Sequence, residues 1–479
     1  MHEFDLDADA VRQLGCRAAE LAAEHRARLL ERPVFGKVGA AASGFDEPLP
    51  EAGQPIDEVL ALVRERILPL PFGNSHPRFF AFINATADPV GVVADYLAAT
   101  MNSNCWGGDH AAIHVEAQVL RWLAAILGLP DDSEGILTSG GSMANFTALA
   151  TARRAMAPGV RQDGFAGTEP LVVYASEEAH NCVDKAVDLL GIGWKQLRKL
   201  TTDEGYRIRV DVLKQAIVED RRAGLKPAIV VGNAGTVNTG AIDPLDELAD
   251  LCAAEGLWFH ADGAYGAMAA ISPHLKPLFR GLERADSVAA DPHKWLYVPY
   301  EAGATLVREP GRMAAAFERK APYLVHDPES PVRGPASFNE RGPELSRCFK
   351  ALKVWMGLKH HGLRGYAAAV DHDVAMAREL ADAVTAHGDF ELMAPPTLSI
   401  VGFRYKPRAR VLAEPELDRV NRQIVNRLVG SGAFFLAPTL LKGRTAMRVA
   451  IVNFRTREAD VRALVDEAAR EGREILGIS

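Results

Sequence analysis

The chain has 479 residues, 48% hydrophobic and 24% charged, with a net charge of -8. That length is too great for one compact core, so at least two domains are expected. The acidic balance offers no basic surface to a phosphate backbone, which argues against nucleic acid as a partner. No apolar run reaches the length of a membrane span, and the start MHEFDLDADA lacks the charged-then-apolar design of a secretory signal.

In chain order, a helix is predicted from Asp7 to about Glu31, stopped by Pro33, followed by a Gly/Pro-rich surface linker from Phe35 to Pro55. Short β-rich runs then alternate with helical ones. The strands are placed at Leu171–Ala175, Ala228–Asn233, Leu257–Ala261, Ser287–Ala290 and Gly303–Val307. The helices between them are placed at Ser142–Ala157, Ala179–Gly191, Val210–Arg222 and Pro244–Glu255. Such alternation predicts an α/β fold with a mostly parallel sheet under crossover helices. The tail differs. Helices at Leu345–His361 and Leu363–Ala386 lead into strands near Leu398–Tyr405 and Ala446–Val452, then a closing helix Glu458–Leu476, a smaller α+β unit. The expected division is residues 1–75, 76–345 and 346–479. Five cysteines at positions 16, 105, 182, 252 and 348 form no CxxC pair, which fits reduced thiols in a cytoplasm. No metal site is expected.

Three segments carry chemistry. In SVAADPHKWLYVP, a run of small residues from a buried strand ends in Asp291-Pro292-His293 and presents Lys294. Partial desolvation there favours a free, nucleophilic amine, although most lysines are simply solvated. In WFHADGAYG, Asp262 follows an apolar strand, so its carboxylate points into the crevice at the strand's carboxyl end. There it can partner a protonated ring nitrogen, or merely cap a helix. Gly263 and Ala264 leave room for a flat ring. In ILTSGGSMANFTALA, a strand runs through Ser139-Gly140-Gly141-Ser142 into a helix, and backbone N–H groups at such a start hold a phosphate. The spacing is not that of a dinucleotide fingerprint. His180, after the strand Leu171–Ala175, can stack on a ring or serve the core. Thr236 can reach ring substituents or form a turn.

These segments together resemble group II pyridoxal-phosphate decarboxylases, the family of aromatic-L-amino-acid and glutamate decarboxylases, from HPRFFAF (76–82) through ALKVW (351–355). The resemblance implies the aspartate-aminotransferase type of fold, fold type I, and a homodimer with the first helix lying across the partner. It implies that Lys294 holds pyridoxal 5'-phosphate as a Schiff base, that Asp262 pairs with the ring nitrogen, and that His180 stacks on the ring above Ala264. Gly141, Ser142 and His293 would attend the phosphate, with Thr236 near the ring edge. Gly140 stands where relatives often carry serine, which hands more of that contact to backbone N–H groups. The implied reaction is loss of CO2 from an L-amino acid, leaving the amine.

Three departures bear on the substrate. Phe82 stands where relatives acting on aromatic substrates usually have tyrosine. Asn102 and Asn104 stand where aromatic decarboxylases carry apolar residues that reach into the partner subunit's pocket, which suggests a more polar or differently shaped substrate. Phe338 aligns with the proton-donating tyrosine of a mobile loop, in a register that Gly334, Pro335 and Pro343 allow to slip. A phenyl ring there would favour an aldehyde synthase, in which oxygen intercepts the carbanion. An aminotransferase would instead need an arginine clamp for the α-carboxylate, for which only Arg448 offers itself. A non-catalytic binding protein is the remaining rival.

Overall fold

The computed structural model describes residues 5–39, 44–319 and 334–478. The larger sheet contains β1 (Glu134–Thr138), β2 (Leu171–Ser176), β3 (Leu197–Leu200), β4 (Lys226–Asn233), β5 (Trp258–Gly263), β6 (Ser287–Ala290) and β7 (Gly303–Val307). Their spatial order is β1-β7-β6-β5-β4-β2-β3. Only β7 runs antiparallel, against both β1 and β6. The alternating helices, among them Gly141–Met156, Val210–Arg222 and Leu245–Glu255, cover a sheet whose central strands β2, β5 and β6 are buried along their whole length. Burial on both faces is why these strands read as continuous apolar runs.

The parallel register brings strand ends together. Asn233 lies opposite Asp262, and Asp262 opposite Ala289, so β4, β5 and β6 all finish at one crevice. The turn after β1 joins them because Thr138 pairs with Gly303 of β7.

A smaller antiparallel sheet, ordered β10-β11-β9-β8, comprises β8 (Phe390–Leu392), β9 (Ile400–Tyr405), β10 (Ala437–Leu441) and β11 (Arg444–Ala450). Helices Glu414–Gly430 and Glu458–Leu476 pack on it. β10 escapes the sequence reading because Pro438 breaks its pattern, which an edge strand tolerates. The two tail helices, within Ala351–His387, meet at a kink at Gly362, whose φ of +64° and ψ of 174° are not helical, where the sequence reading divides them. The first starts at Ala351, six residues later than expected. The preceding residues are held extended: the Arg347 N–H donates to Asn104 Oδ1 and the Cys105 N–H to the Arg347 carbonyl.

A boundary at residue 76 cuts the fold differently in space. Phe79 bridges to Phe435, and Phe80 lies in the smaller core beside Phe403 and Phe434. The first helix, Ala8–Ala27, is capped by Asp7 but buries none of its residues in this chain. All five cysteines are free thiols. Among the described residues no helix is long and apolar enough to cross a membrane, and no cluster of metal-ligating side chains occurs.

Candidate active site

The strand ends enclose a cavity of about 640 Å³ that contains Lys294, Asp262, His180, His293 and Ala264, together with the turn Ser139 to Ser142. The turn comes first in the construction. Gly140 adopts φ +152°, a backbone conformation that favours glycine. A Cβ on Gly141 would lie 2.8 Å from both Ala264 Cβ and Asp291 Oδ2. The helix Gly141–Met156 therefore begins hard against the cavity, and no side chain caps its first N–H groups. Unmet donors at a helix start are an anion site.

Lys294 sits in a one-turn helix, Pro292–Trp295, directly after β6. Its Nζ lies 2.9 Å from Asp291 Oδ2, and the Asp291 side chain is only 1% exposed. The sequence reading anticipated a bare desolvated amine; the structure supplies a counter-ion instead. His293 accepts the Ala302 N–H at Nδ1, 3.2 Å away, so its proton resides on Nε2. That nitrogen looks toward Gly140. Burial holds the His293 pKa below the usual imidazole range. His180 likewise accepts the Cys182 N–H at Nδ1. Its ring is open to the cavity on one side, while burial of the rest lowers its pKa. Asp262, nearly buried, accepts only the Ala264 N–H, which leaves carboxylate capacity facing the cavity.

Arg448 projects from β11 into the same space. Its Nε donates to the Val237 carbonyl at 2.7 Å and its Nη1 to the Phe82 carbonyl at 3.2 Å. Its Nη2 is buried without a hydrogen-bond partner, and burial lowers its pKa to about 10. An unpaired, buried guanidinium N–H at the wall of the cavity is a ready donor for a carboxylate.

Four expected site residues lie outside this chain's cavity. Thr236 does not line the cavity: it is buried, and its hydroxyl pairs with Thr239 at 2.9 Å within a turn. Its neighbours Gly235 and Val237 face the cavity instead. Asn102 ends the helix Pro89–Met101 in a left-handed conformation that asparagine tolerates, and Asn104 binds the Arg347 backbone. Both line an adjoining cavity that shares only Tyr300 and Glu301 with the first. Each asparagine thus has a local structural role within the single chain. Phe338 is a core residue. It is fully buried, with the Arg341 and Arg347 guanidiniums 5.4 and 5.2 Å from its ring centroid. A side chain fixed there cannot serve as a lid acid at this chain's own cavity. The stretch just before Gly334, part of the expected loop, lies outside the described residues.

Phe82 does line the cavity, at the edge of a cluster with Phe72 and Phe435, 6.0 and 6.1 Å away between ring centroids. Sequence reasoning passed over Asp291 and Tyr300. Asp291 was legible in principle: it follows β6 as Asp262 ends β5, and it is the residue that introduces Pro292.

Residues 39–406 match the family model of the pyridoxal-dependent decarboxylase conserved domain. An aromatic-L-amino-acid decarboxylase of Bacillus atrophaeus is 38% identical over 95% of this chain and 93% of its own. The chain belongs to the pyridoxal-dependent decarboxylase family. Its reaction is the pyridoxal-phosphate-dependent decarboxylation of an L-amino acid to an amine and CO2. The Oryza sativa TDC, solved with PLP and tryptamine, superposes with a TM-score of 0.92 at 28% identity, covering 98% of this chain and 99% of its own. A phenylacetaldehyde synthase of Arabidopsis thaliana is 28% identical over 93% of this chain and 92% of its own. The arginine that an aminotransferase would need is present in the decarboxylase, so Arg448 does not by itself separate those reactions; family membership does.

The residues fit the cofactor. The uncapped turn at Gly140–Ser142 suits a phosphate, and its glycines leave the backbone bare where side chains would collide. Asp262 and Lys294 supply an anion and an amine within the same cavity.

Proposed function

We propose that the decarboxylase acts on an aromatic L-amino acid, with Lys294 as the cofactor lysine. The observation that carries this reading is the shared cavity: an amine, an anion, a stackable imidazole and an unmet arginine N–H around one open helix start. When bound, pyridoxal phosphate supplies a conjugated ring that takes up the electron pair released as CO2 leaves. Gly141, Ser142 and His293 hold its phosphate, the last through Nε2–H. Asp262 holds positive charge at the ring's far end, which strengthens electron withdrawal. His180 covers one face and keeps its proton on Nε2. Arg448 orients the substrate carboxylate, and the Phe82 wall receives an apolar side chain. The wall's aromatic cluster and the named activity of the Bacillus atrophaeus relative both favour an aromatic substrate.

The same proposal includes a homodimer in the cytoplasm. A twenty-residue helix with no buried residue needs a second surface. The helix Pro89–Met101 also exposes Val93, Tyr96, Leu97 and Met101, as an interface with a second copy requires. Five free thiols favour a reducing compartment. We keep the division into residues 1–75, 76–345 and 346–479, with 79–80 contributing to the smaller core.

Borohydride reduction of the yellow holoenzyme should fix the cofactor on one peptide, the one containing Lys294. Incubation with tryptophan, phenylalanine, tyrosine and glutamate should give CO2 and amine from an aromatic member. Label on another lysine would sink the site, and turnover of glutamate alone would sink the substrate class. Lys294→Ala should retain cofactor only non-covalently and show no turnover.

A further inference from the structure

Asp291 has no role in the scheme above, yet its position is unusual. Its side chain is 1% exposed, and Oδ1 is buried with no hydrogen-bond partner. Oδ2 meets one full cation, Lys294 Nζ at 2.9 Å; His293 Nε2 stands farther away, at 3.7 Å. A buried carboxylate with a single counter-ion is costly unless that ion is present when needed.

We propose that Asp291 is the docking carboxylate for the Lys294 ammonium whenever this lysine is not bonded to the cofactor. The inference rests on Lys294 being the cofactor lysine. The chemistry requires such a partner. Substrate enters as an ammonium and exchanges with the lysine on one carbonyl carbon: the C=N bond to Lys294 breaks and a C=N bond to the substrate nitrogen forms. Three hydrogens pass from the incoming nitrogen to the departing one, with no change of oxidation state. Lys294 thus leaves as an ammonium inside a cavity where its side chain is 16% exposed. The attraction of a close buried carboxylate offsets much of the lost hydration.

The backbone fixes this geometry. Asp291 and Lys294 are separated by three residues across the single turn Pro292–Trp295, and the Lys294 N–H donates to the Asp291 carbonyl at 2.9 Å. The proline restricts φ at the first helical position. Only the flexible lysine stem has to move between carboxylate and cofactor. Because Oδ1 has no hydrogen-bond partner in the fold, only the more distant His293 ring, 3.7 Å from Oδ2, faces the carboxylate when the ammonium departs. Asp291 therefore favours the exchanged state, in which substrate holds the cofactor and the lysine is free.

The test uses holoenzyme and the amine that the parental enzyme produces. The amine is titrated in, the mixture is quenched with borohydride, and the Lys294 peptide is weighed for bound cofactor. In the parental enzyme, rising amine should remove cofactor from that peptide. In Asp291→Asn and Asp291→Ser, about 10-fold or more amine should be needed for the same displacement, on the scale of losing one partner of a buried charge pair. Unchanged or easier displacement in both variants would overturn the inference. Loss of cofactor from both would overturn it too, by making Asp291 part of the cradle. No label on Lys294 in the parental protein would instead defeat the assignment of the lysine.

Discussion

On the two sides of Lys294 the polar groups are treated in opposite ways. Before it, Asp291 keeps one carboxylate oxygen without a partner, and the helix start it faces has no cap. After it, Trp295 Nε1 and Tyr297 Oη both donate to Asp373, at 3.2 and 2.7 Å, and the Asn453 N–H makes a third donor. Trp295 also rests on Tyr265, with ring centroids 4.9 Å apart. Tyr297 carries a φ of +50°, uncommon for a tyrosine, and its buried hydroxyl bond to Asp373 helps hold it there. The contrast separates two kinds of buried polar group. The unmet group here faces the cavity and the lysine stem, while those fully met fix the backbone that presents the lysine.

The largest effect that would sharpen this contrast belongs to the unmet side. Asp262→Ala should lower kcat/KM by about 10²- to 10³-fold, the range for removing a preorganised electrostatic partner, and should weaken cofactor retention. His180→Ala should do less of both, because stacking is a softer contact than a buried anion. Equilibrium dialysis of the cofactor and steady-state rates measure the two terms. An Asp262→Ala enzyme with parental rate and cofactor content would break the distinction.

The met side predicts a loss of stability instead. Asp373→Ala leaves three buried donors without an acceptor and should cost on the order of 3 kcal/mol, whereas Tyr297→Phe should cost about 1 kcal/mol. Denaturant unfolding of the holoenzyme reads both. Burial pushes the Asp373 carboxyl up to about 7 despite its three donors. A carboxyl raised in the fold loses its stabilising contribution as pH rises, here from about 4 to 7. Asp373 should therefore weaken the fold toward neutrality, and Asp373→Asn should flatten that trend.

Much of the unmet side was legible in the sequence, and much of the met side was not. Asp262 and Lys294 could be placed because strand ends open on one crevice of a parallel sheet, a rule that needs only the order of elements. Asp373 could not, because its partners lie 76 and 78 residues away and meet it only when the long helix packs behind the lysine turn. Thr236 lies off the cavity for a related reason: its hydroxyl is taken by Thr239 in a turn that periodicity does not reveal.

A pH-dependent effect confined to the acid side comes from His260, which sits in β5 two residues before Asp262. Its Nε2 pairs with Asn145 Oδ1 at 2.7 Å and its Nδ1 with Ser287 Oγ at 2.9 Å, tying the helix Gly141–Met156 to the sheet. Burial lowers its pKa to about 4. A histidine depressed in the fold contributes stability that is present above its unfolded pKa and lost as pH falls through the folded value. Between pH ~6.5 and ~4 the protein should lose on the order of 3 kcal/mol through this group. His260→Gln should reduce that acid-side slope; an unchanged slope would show that the loss arises elsewhere.

The smallest expected effect on the reaction is at Phe338, where a core position and a lid position predict opposite outcomes. If its ring belonged to a lid, a phenol there would deliver a proton to Cα, and general-acid assistance is worth about 10²–10⁴-fold. Phe338→Tyr would then move products from aldehyde and peroxide toward amine. The observed ring is instead enclosed beneath Arg341 and Arg347, and Arg347 is itself committed to Glu116 at 2.5 Å and to the Leu137 and Cys105 carbonyls. A hydroxyl introduced there has to find a buried partner, or it costs about 1–3 kcal/mol. Phe338→Tyr should accordingly lower stability slightly and leave the ratio of amine to aldehyde unchanged, with oxygen present or excluded. A parental enzyme that forms aldehyde only with oxygen, and a variant that no longer does so, would return Phe338 to the reacting centre.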